Sequence, residues 1–227
     1  LVDWWALWSR RTGVAVDLQA SDWALALRRI EDGEAQVIDT VFETAERQRF
    51  LDFSPPYADI PVSIFAHTSI GGLSDIDTLR GFVVGAKTGD ACVERLRSSG
   101  VTDLALHDSY QQLVNAAIAG KIKVFCLDEP PAQFLLYRAN AHHDFRQMFT
   151  LYTGQFHRAV RRGDQATLAL LARGSAAISA AELQALHDKW MGSELHTAQQ
   201  PYGPAIIYGL LAALLTGALQ AAWSLTL

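Results

Sequence analysis

Between positions 37 and 57 the chain reads VIDTVFETAERQRFLDFSPPY, and this segment limits what the whole can fold into. Val37 and Ile38 have the character of the end of a buried strand. Asp39 and Thr40 then put polar groups at its carboxyl end, where open α/β sheets bind ligands. Thr44, followed by Glu46 and Arg47, predicts a short helix opened by a hydroxyl cap, and DFSPPY predicts a turn. Arg47 projects from that helix toward the strand end. A planar fork held there suits a carboxylate and contributes roughly 1.5–3 kcal/mol when charge-assisted. The other reading of Arg47 is a surface arginine paired with Asp39 or Glu46.

Elements before and after this segment alternate. Residues 3–12 predict an amphipathic helix with Trp4, Leu7 and Trp8 on one face, ended by Gly13. VAVDLQ (14–19) reads as a strand, 23–30 as a helix capped by Ser21 or Asp22, and 36–40 as the next strand. Alternation of this kind implies a parallel sheet. Further on, 61–66 is extended, LSDIDTL (73–79) holds a serine-capped short helix, and GFVVGA (81–86) is a buried strand. Helices at 90–98 and 109–119 flank a strand at 104–107. Residues 124–127 form a strand, and a helix starts at Pro130 or Pro131, where proline is tolerated. A strand at 155–160 and helices at 164–178 and 180–190 complete the pattern.

The charges are interspersed and net −5, without the basic stripe that nucleic acid requires. Histidines 107, 157, 187 and 196 are scattered, and the adjacent His142 and His143 cannot form an i, i+4 metal pair, so no metal site is expected. No GxSxG, P-loop or dinucleotide fingerprint is present, and no cofactor is implied. Cys92 and Cys126 permit one disulfide, or are two small buried hydrophobes. Positions 205–227, AIIYGLLAALLTGALQAAWSLTL, carry no charge and are long enough to cross about 30 Å of hydrocarbon. Tyr202, Tyr208 and Trp223 stand near the two ends as interfacial aromatics do. A transmembrane helix is predicted there, after a linker at 193–204. No signal peptide is visible before Leu1.

The segment at 37–57 resembles the signature of the family 3 extracellular solute-binding proteins, roughly D-V-I-x-x-x-x-x-T-x-E-R followed by F-S-x-P-Y. Val37, Ile38, Thr44, Glu46, Arg47, Phe53, Ser54, Pro56 and Tyr57 carry the match, and the resemblance extends over nearly all of 1–192. It implies an α/β, two-lobed periplasmic binding protein of type II, a Venus flytrap, ahead of the membrane helix. Lobe 1 would comprise 1–64 plus 158–192 and lobe 2 would comprise 65–157. It also implies an opening strand and first binding loop ahead of Leu1.

By the same resemblance Arg47 holds a solute carboxylate and Asp128, at a second-lobe strand end, holds an ammonium. Asp128 has the alternative role of a helix N-cap. Trp23 takes the place of an aromatic wall. Asp39 and Thr40 align with two small hydroxyl residues, and Phe42 replaces a Ser or Thr. Lys87 to Asp90, KTGD, opens a helix at which Asp90 replaces a hydroxyl residue. Counting Asp39, Asp90, Asp128 and Glu129 against Arg47 and Lys87 favours a cationic amino acid. In a flytrap second lobe Cys92 and Cys126 would be neighbours, and a disulfide there would add about 3–4 kcal/mol.

The implied function is periplasmic sensing at the inner membrane: a small-molecule solute, an amino acid, closes the lobes and shifts the membrane helix. The output module would be cytoplasmic, of cyclic-di-GMP or histidine-kinase type, and small-residue packing in the membrane helix suits a homodimer. The alternatives are the binding component of an amino-acid ABC transporter and, further off, a cyclohexadienyl or arogenate dehydratase using Glu129 or Asp90 as general acid. An enzyme is not expected.

Overall fold

The computed structural model describes residues 1–191. Residues 1–179 form one compact unit, and a second unit opens with a helix at Ala180–Met191. That helix carries Glu182 in its first turn and Lys189 in its last, complementing the helix dipole, and Gln184 donates to Asp188 one turn on. Among the described residues no single helix is long and apolar enough to cross a membrane. The expected linker at 193–204 and membrane helix at 205–227 lie outside them.

A long antiparallel ribbon organises the first unit. Its first strand follows two others, so the strands are numbered β1 (Ile38–Phe42), β2 (Leu51–Phe53) and β3 (Ala58–His67). β4 (Val84–Lys87), β5 (Leu104–His107), β6 (Val124–Asp128) and β7 (Phe145–Arg161) complete the sheet. β3 pairs with β7 over its whole length, from Ala58 opposite Phe156 to His67 opposite Phe145. At one end β7 also pairs with β1 and β2. At the other, β3 pairs with β6, beside which β4 and β5 lie in parallel, giving the order β1-β7-β3-β6-β4-β5. The expected parallel sheet is therefore mixed. Only β4, β5 and β6 are parallel, because only they are joined by crossover helices, whereas β3 and β7 pair antiparallel along the ribbon.

The helices of this unit are α1 (Val2–Thr12), α2 (Trp23–Glu31), α3 (Ala91–Ser98), α4 (Tyr110–Ile118), α5 (Glu129–Arg138) and α6 (Gln165–Ala176). The β6 run VFCL is apolar throughout because both faces of a covered parallel strand are buried. Val124 and Cys126 join Leu79, Val84 and Leu96 on one face. Phe125 and Leu127 join Leu113, Val114 and Leu136 on the other. A third cluster of Ile30, Ile38, Val41, Leu51 and Ala159 lies under β1. α1 packs on α6 at Gly174, where any side chain would meet the Trp8 indole.

Four local expectations are corrected. VAVDLQ is not a strand: Val14 and Leu18 are exposed, and a strand needs a neighbour to complete its hydrogen bonds. The buried face of α1 consists of Trp5, Leu7 and Trp8, with Trp4 turned to a different partner described below. In LSDIDTL the N-cap position of the short helix is Ile76, not Ser74, and it is Asp75 whose Oδ1 accepts from the Thr78 N–H at 3.1 Å. β7 also begins ten residues before the expected start at 155, where RQMFTLYTGQ interleaves polar and apolar residues on a half-solvated ribbon.

Candidate functional site

The Thr44 hydroxyl accepts from the Arg47 N–H at 3.3 Å as the chain enters the short 3₁₀ turn Arg47–Arg49, whose N-cap position is Glu46 and not the expected hydroxyl residue. The turn sends the Arg47 side chain inward, where the residue is only 3% exposed. Nη1 donates to the Phe42 carbonyl at 2.8 Å and Nη2 to the Gly89 carbonyl at 2.9 Å. Among the described residues its acidic neighbour is Glu94, with 3.9 Å from Nε to the carboxylate, and not Asp39 or Glu46. Burial raises the Glu94 carboxyl above its ordinary value, against the opposing pull of Thr44 and Arg47. A guanidinium has five N–H donors, so two bonds to carbonyls leave three for another acceptor.

The Gly89 carbonyl takes a second donor, Trp23 Nε1 at 3.0 Å. Trp23 and Arg47 precede the ribbon and Gly89 follows β4, so this carbonyl joins the two ends of the unit. Gly89 has φ +73, a conformation that glycine adopts without strain.

Four residues at the strand ends of the parallel portion form the opposing wall. Asp90 caps α3, its Oδ1 accepting from the Cys92 N–H at 3.1 Å. Its Oδ2 pairs with Lys87 Nζ at 3.1 Å. Tyr110, the first residue of α4, places its hydroxyl 2.9 Å from Oδ2 of both Asp90 and Asp128. Burial, and then the two carboxylates, push the Tyr110 hydroxyl well above its usual range. Asp128 occupies the N-cap position of α5 without making a cap bond. Its Oδ1 is buried and has no hydrogen-bond partner among the described residues. Burial, then the charge of Asp90, push the Asp128 carboxyl up to about 6. One hydroxyl hydrogen cannot serve two carboxylates at once. The Tyr110 hydroxyl is thus shared between the two acids, and Asp128 is the one left with a bare oxygen.

Asp90 and Asp128 are held in register by a disulfide. Cys92, in the first turn of α3, is bonded to Cys126 of β6, with 6.6 Å between the Cα atoms.

These residues enclose a cavity of about 250 Å³. The size suits a small solute and falls below that of drug-sized pockets. Trp23, Thr40, Phe42, Arg47, Lys87, Asp90 and Asp128 all line it. Tyr110, Ile60, Phe156, Pro130 and Pro131 also line it and were not singled out from the sequence. Tyr110 had a usable signal, since it opens a helix just past the carboxyl end of a parallel strand. Phe42 is seated by the ribbon: a Cβ on Gly154 would stand 2.7–2.9 Å from its ring. A second cavity, of about 620 Å³, shares Phe42 and Ala91 with the first and is edged by Glu43, Glu94 and Arg95.

Thr40 has φ +56, a strained conformation for a β-branched residue. Its N–H is held by Asp39 Oδ1 at 2.7 Å, at a bulge in the β1–β7 register.

Asp39 does not face the cavity as its alignment suggested. Its Oδ2 accepts from Trp5 Nε1 at 2.7 Å and pairs with Arg158 Nε at 3.2 Å, and its Oδ1 accepts from the Tyr57 hydroxyl at 2.7 Å. Arg158 is in turn covered by the rings of Trp4 at 3.3 Å and Tyr57 at 4.2 Å. Burial lowers the Arg158 guanidinium from its ordinary value and raises the Tyr57 hydroxyl. Glu129 likewise turns away, accepting from Ser63 at 2.5 Å and Gln147 at 2.6 Å on the ribbon. The charged lining is therefore Arg47 and Lys87 against Asp90 and Asp128.

The family model for bacterial extracellular solute-binding proteins, family 3, matches residues 1–193. No curated protein sequence matches the chain. A solved histidine kinase sensor domain with similarity to periplasmic binding proteins is 22% identical, with 84% of this chain and 85% of that one covered and a TM-score of 0.78. The P235GK mutant of ArgBP from T. maritima is 19% identical, with 85% and 84% covered and a TM-score of 0.75. An ancestral arginine-binding protein bound to glutamine is also 19% identical, with 85% and 87% covered and a TM-score of 0.74. At these identities the likeness is one of fold.

Proposed function

The chain belongs to the family 3 bacterial extracellular solute-binding proteins, and on that premise we propose that it senses an amino acid in the periplasm. Its lobes are 1–64 with 158–192 and 65–157, and the β3–β7 ribbon is the hinge between them. The observation that carries this reading is the unpartnered, buried Asp128 Oδ1, lining the same small cavity as Arg47 with its three remaining N–H donors. A zwitterion brings one group to each: its carboxylate to the Arg47 fork, its ammonium to Asp128. Burying either charge unmatched would cost several kcal/mol, so the pair selects a solute with both. Trp23 and Phe42 wall the solute, and the Thr40 hydroxyl is within the lining.

Binding stabilises whichever lobe arrangement contacts the solute on both sides. The Gly89 carbonyl, bonded by both Trp23 and Arg47, supports a closed arrangement that already has contacts across the cleft. Closure is then coupled to the membrane helix at 205–227 and through it to a cytoplasmic module in the inner membrane, in a homodimer. The histidine kinase sensor domain of the same fold supports the sensing role. Delivery to an ABC permease is the second reading. It differs in predicting a functional soluble protein without 205–227.

The expectation of a cationic solute loses two of its four acids, because Asp39 and Glu129 are engaged elsewhere. It now rests on Asp90 and Asp128, which two lining cations balance.

The test is a thermal-shift screen of the proteinogenic amino acids. Ligand at about 100 Kd stabilises by about 2.7 kcal/mol. A shift lost in both Arg47→Lys, which keeps the charge but not the fork, and Asp128→Asn supports the clamp. A shift unchanged in either variant removes that residue from it.

A further inference from the structure

Lys87 stands in a cage that resembles a binding site for a cation. Its ammonium lies 3.7 Å from the Tyr110 ring centroid and 5.0 Å from that of Trp23, and 3.1 Å from the Asp90 carboxylate. The side chain is 13% exposed and that of Asp90 9%. Two aromatic faces and a carboxylate at such distances are what a desolvated alkylammonium or guanidinium requires. Asp128, itself 6% exposed, adds an unpartnered carboxylate oxygen to the same cavity. The Cys92 N–H and the Tyr110 hydroxyl already position the Asp90 carboxylate, so what Lys87 adds is the counter-charge.

We infer that this cage is a subsite for a solute's cationic side chain which the protein fills with its own Lys87, so that the solute it accepts is an amino acid without a basic side chain. The inference rests on the amino-acid reading above and sharpens it. Lysine or arginine entering the cleft would bring a third cation against Arg47 and Lys87 and find the cage occupied. A neutral amino acid uses only Arg47 and the free oxygen of Asp128. Lys87 is thus a specificity-determining residue, acting through occupancy of the space and charge a basic side chain would need.

Chemical rescue tests the cage without any amino acid. In the intact chain carrying Lys87→Ala, n-butylammonium chloride should raise the melting temperature above the value in equal sodium chloride. It should do so neither in the wild type nor in Lys87→Ala with Asp90→Asn. If Lys87→Ala is unfolded in buffer, the same titration is read as recovery of the near-ultraviolet dichroism of the folded protein. No butylammonium effect beyond sodium chloride, in either readout, overturns the inference.

The second arm compares L-leucine and L-glutamine with L-lysine and L-arginine. The wild type should bind a neutral amino acid in preference to a basic one, and Lys87→Ala should gain about tenfold for the basic pair, the scale of one buried cation–π and ion-pair contact. Wild-type binding of lysine or arginine equal to that of neutral amino acids also overturns it. If no amino acid binds the wild type while butylammonium rescues the variant, the filled cage stands and the amino-acid reading falls.

Discussion

Arg158 and Lys87 are held by the same chemistry to different ends. Each cation lies over two aromatic rings, Trp4 and Tyr57 for Arg158 and Tyr110 and Trp23 for Lys87. Each pairs with a strand-end or helix-start carboxylate, Asp39 at 3.2 Å and Asp90 at 3.1 Å. In the first cage both Asp39 oxygens have donors, from Trp5, Tyr57 and Thr40, and Arg158 Nε faces Oδ2 as an ion pair without a hydrogen bond. In the second, the hydroxyl of Tyr110 is shared with another acid, Asp128, whose Oδ1 has nothing to bond. A carboxylate whose oxygens all have donors is structure; one left with a bare oxygen beside a cavity is a place for a ligand. Stability should therefore be lost when the first cage is broken and gained when the second is completed.

The largest effect is expected from the closed cage. Arg158→Met leaves Asp39 buried without its cation, a loss of about 3–5 kcal/mol in urea unfolding. Asp39→Asn in the same background should recover part of it, because an amide needs no counter-charge. A double variant no more stable than Arg158→Met would show that packing of the guanidinium on Trp4 and Tyr57, rather than charge, sustains this cage.

Next in size is the bond that holds the open cage. Cys92 and Cys126 close a loop of 34 residues between α3, which carries Asp90, and β6, which carries Asp128. Replacing both by alanine should cost about 3–4 kcal/mol on the chain-entropy model. The same variant should weaken solute binding, since nothing covalent then keeps the two acids together. Binding unchanged in the alanine pair would show that Tyr110 alone sets their spacing.

Completing the open cage has the opposite sign. Asp128 goes from 3.8 to about 6 on folding. A carboxyl whose folded value is raised favours the folded state below its unfolded value, and that advantage is lost as pH climbs through the folded one. The empty wild type should lose roughly 2–3 kcal/mol between about pH 4 and pH 7 from this group. Asp128→Asn keeps a neutral, hydrogen-bonding side chain and should abolish that slope, leaving the variant more stable than wild type at pH 7 while unable to hold an ammonium. Solute affinity of the wild type should weaken below about pH 6. Parallel pH dependences of melting in the two proteins would remove Asp128 as the titrating group.

The contrast between the cages also separates what could be read in the sequence from what could not. Trp23, Phe42, Lys87, Asp90 and Asp128 were legible through the resemblance to the family, which set them at the cleft, whereas the strand end at 37–40 by itself pointed only to Asp39, Thr40 and Arg47. The fate of each acid was not. Asp39 is claimed by Trp5, 34 residues before it, and by Arg158, far after it, and both partners are placed by tertiary packing. Glu129 is claimed by Ser63 and Gln147 across the ribbon for the same reason. VAVDLQ misled because its alternation fits a strand while pairing depends on a neighbour, and β7 was under-read because a shared ribbon strand mixes polar and apolar positions.

Thr40 belongs to both cages and offers the smallest and sharpest test. Its N–H is fixed by Asp39 in the closed one, and its side chain lines the cavity of the open one. At φ +56 a β-branched residue is strained by about 1–2 kcal/mol, whereas asparagine tolerates the left-handed region. Thr40→Asn should therefore raise the urea midpoint by the equivalent of about 1 kcal/mol, with the slope unchanged. Against this stands the bond from its hydroxyl to the Asp39 carbonyl at 2.7 Å, itself a contribution of about 1 kcal/mol. A lowered midpoint would mean that the hydroxyl outweighs the strain and that Thr40 is retained for stability. A raised midpoint with weakened solute binding would mean the strain is kept for the cavity: the closed cage holds the backbone of Thr40 in a shape that only the open cage needs.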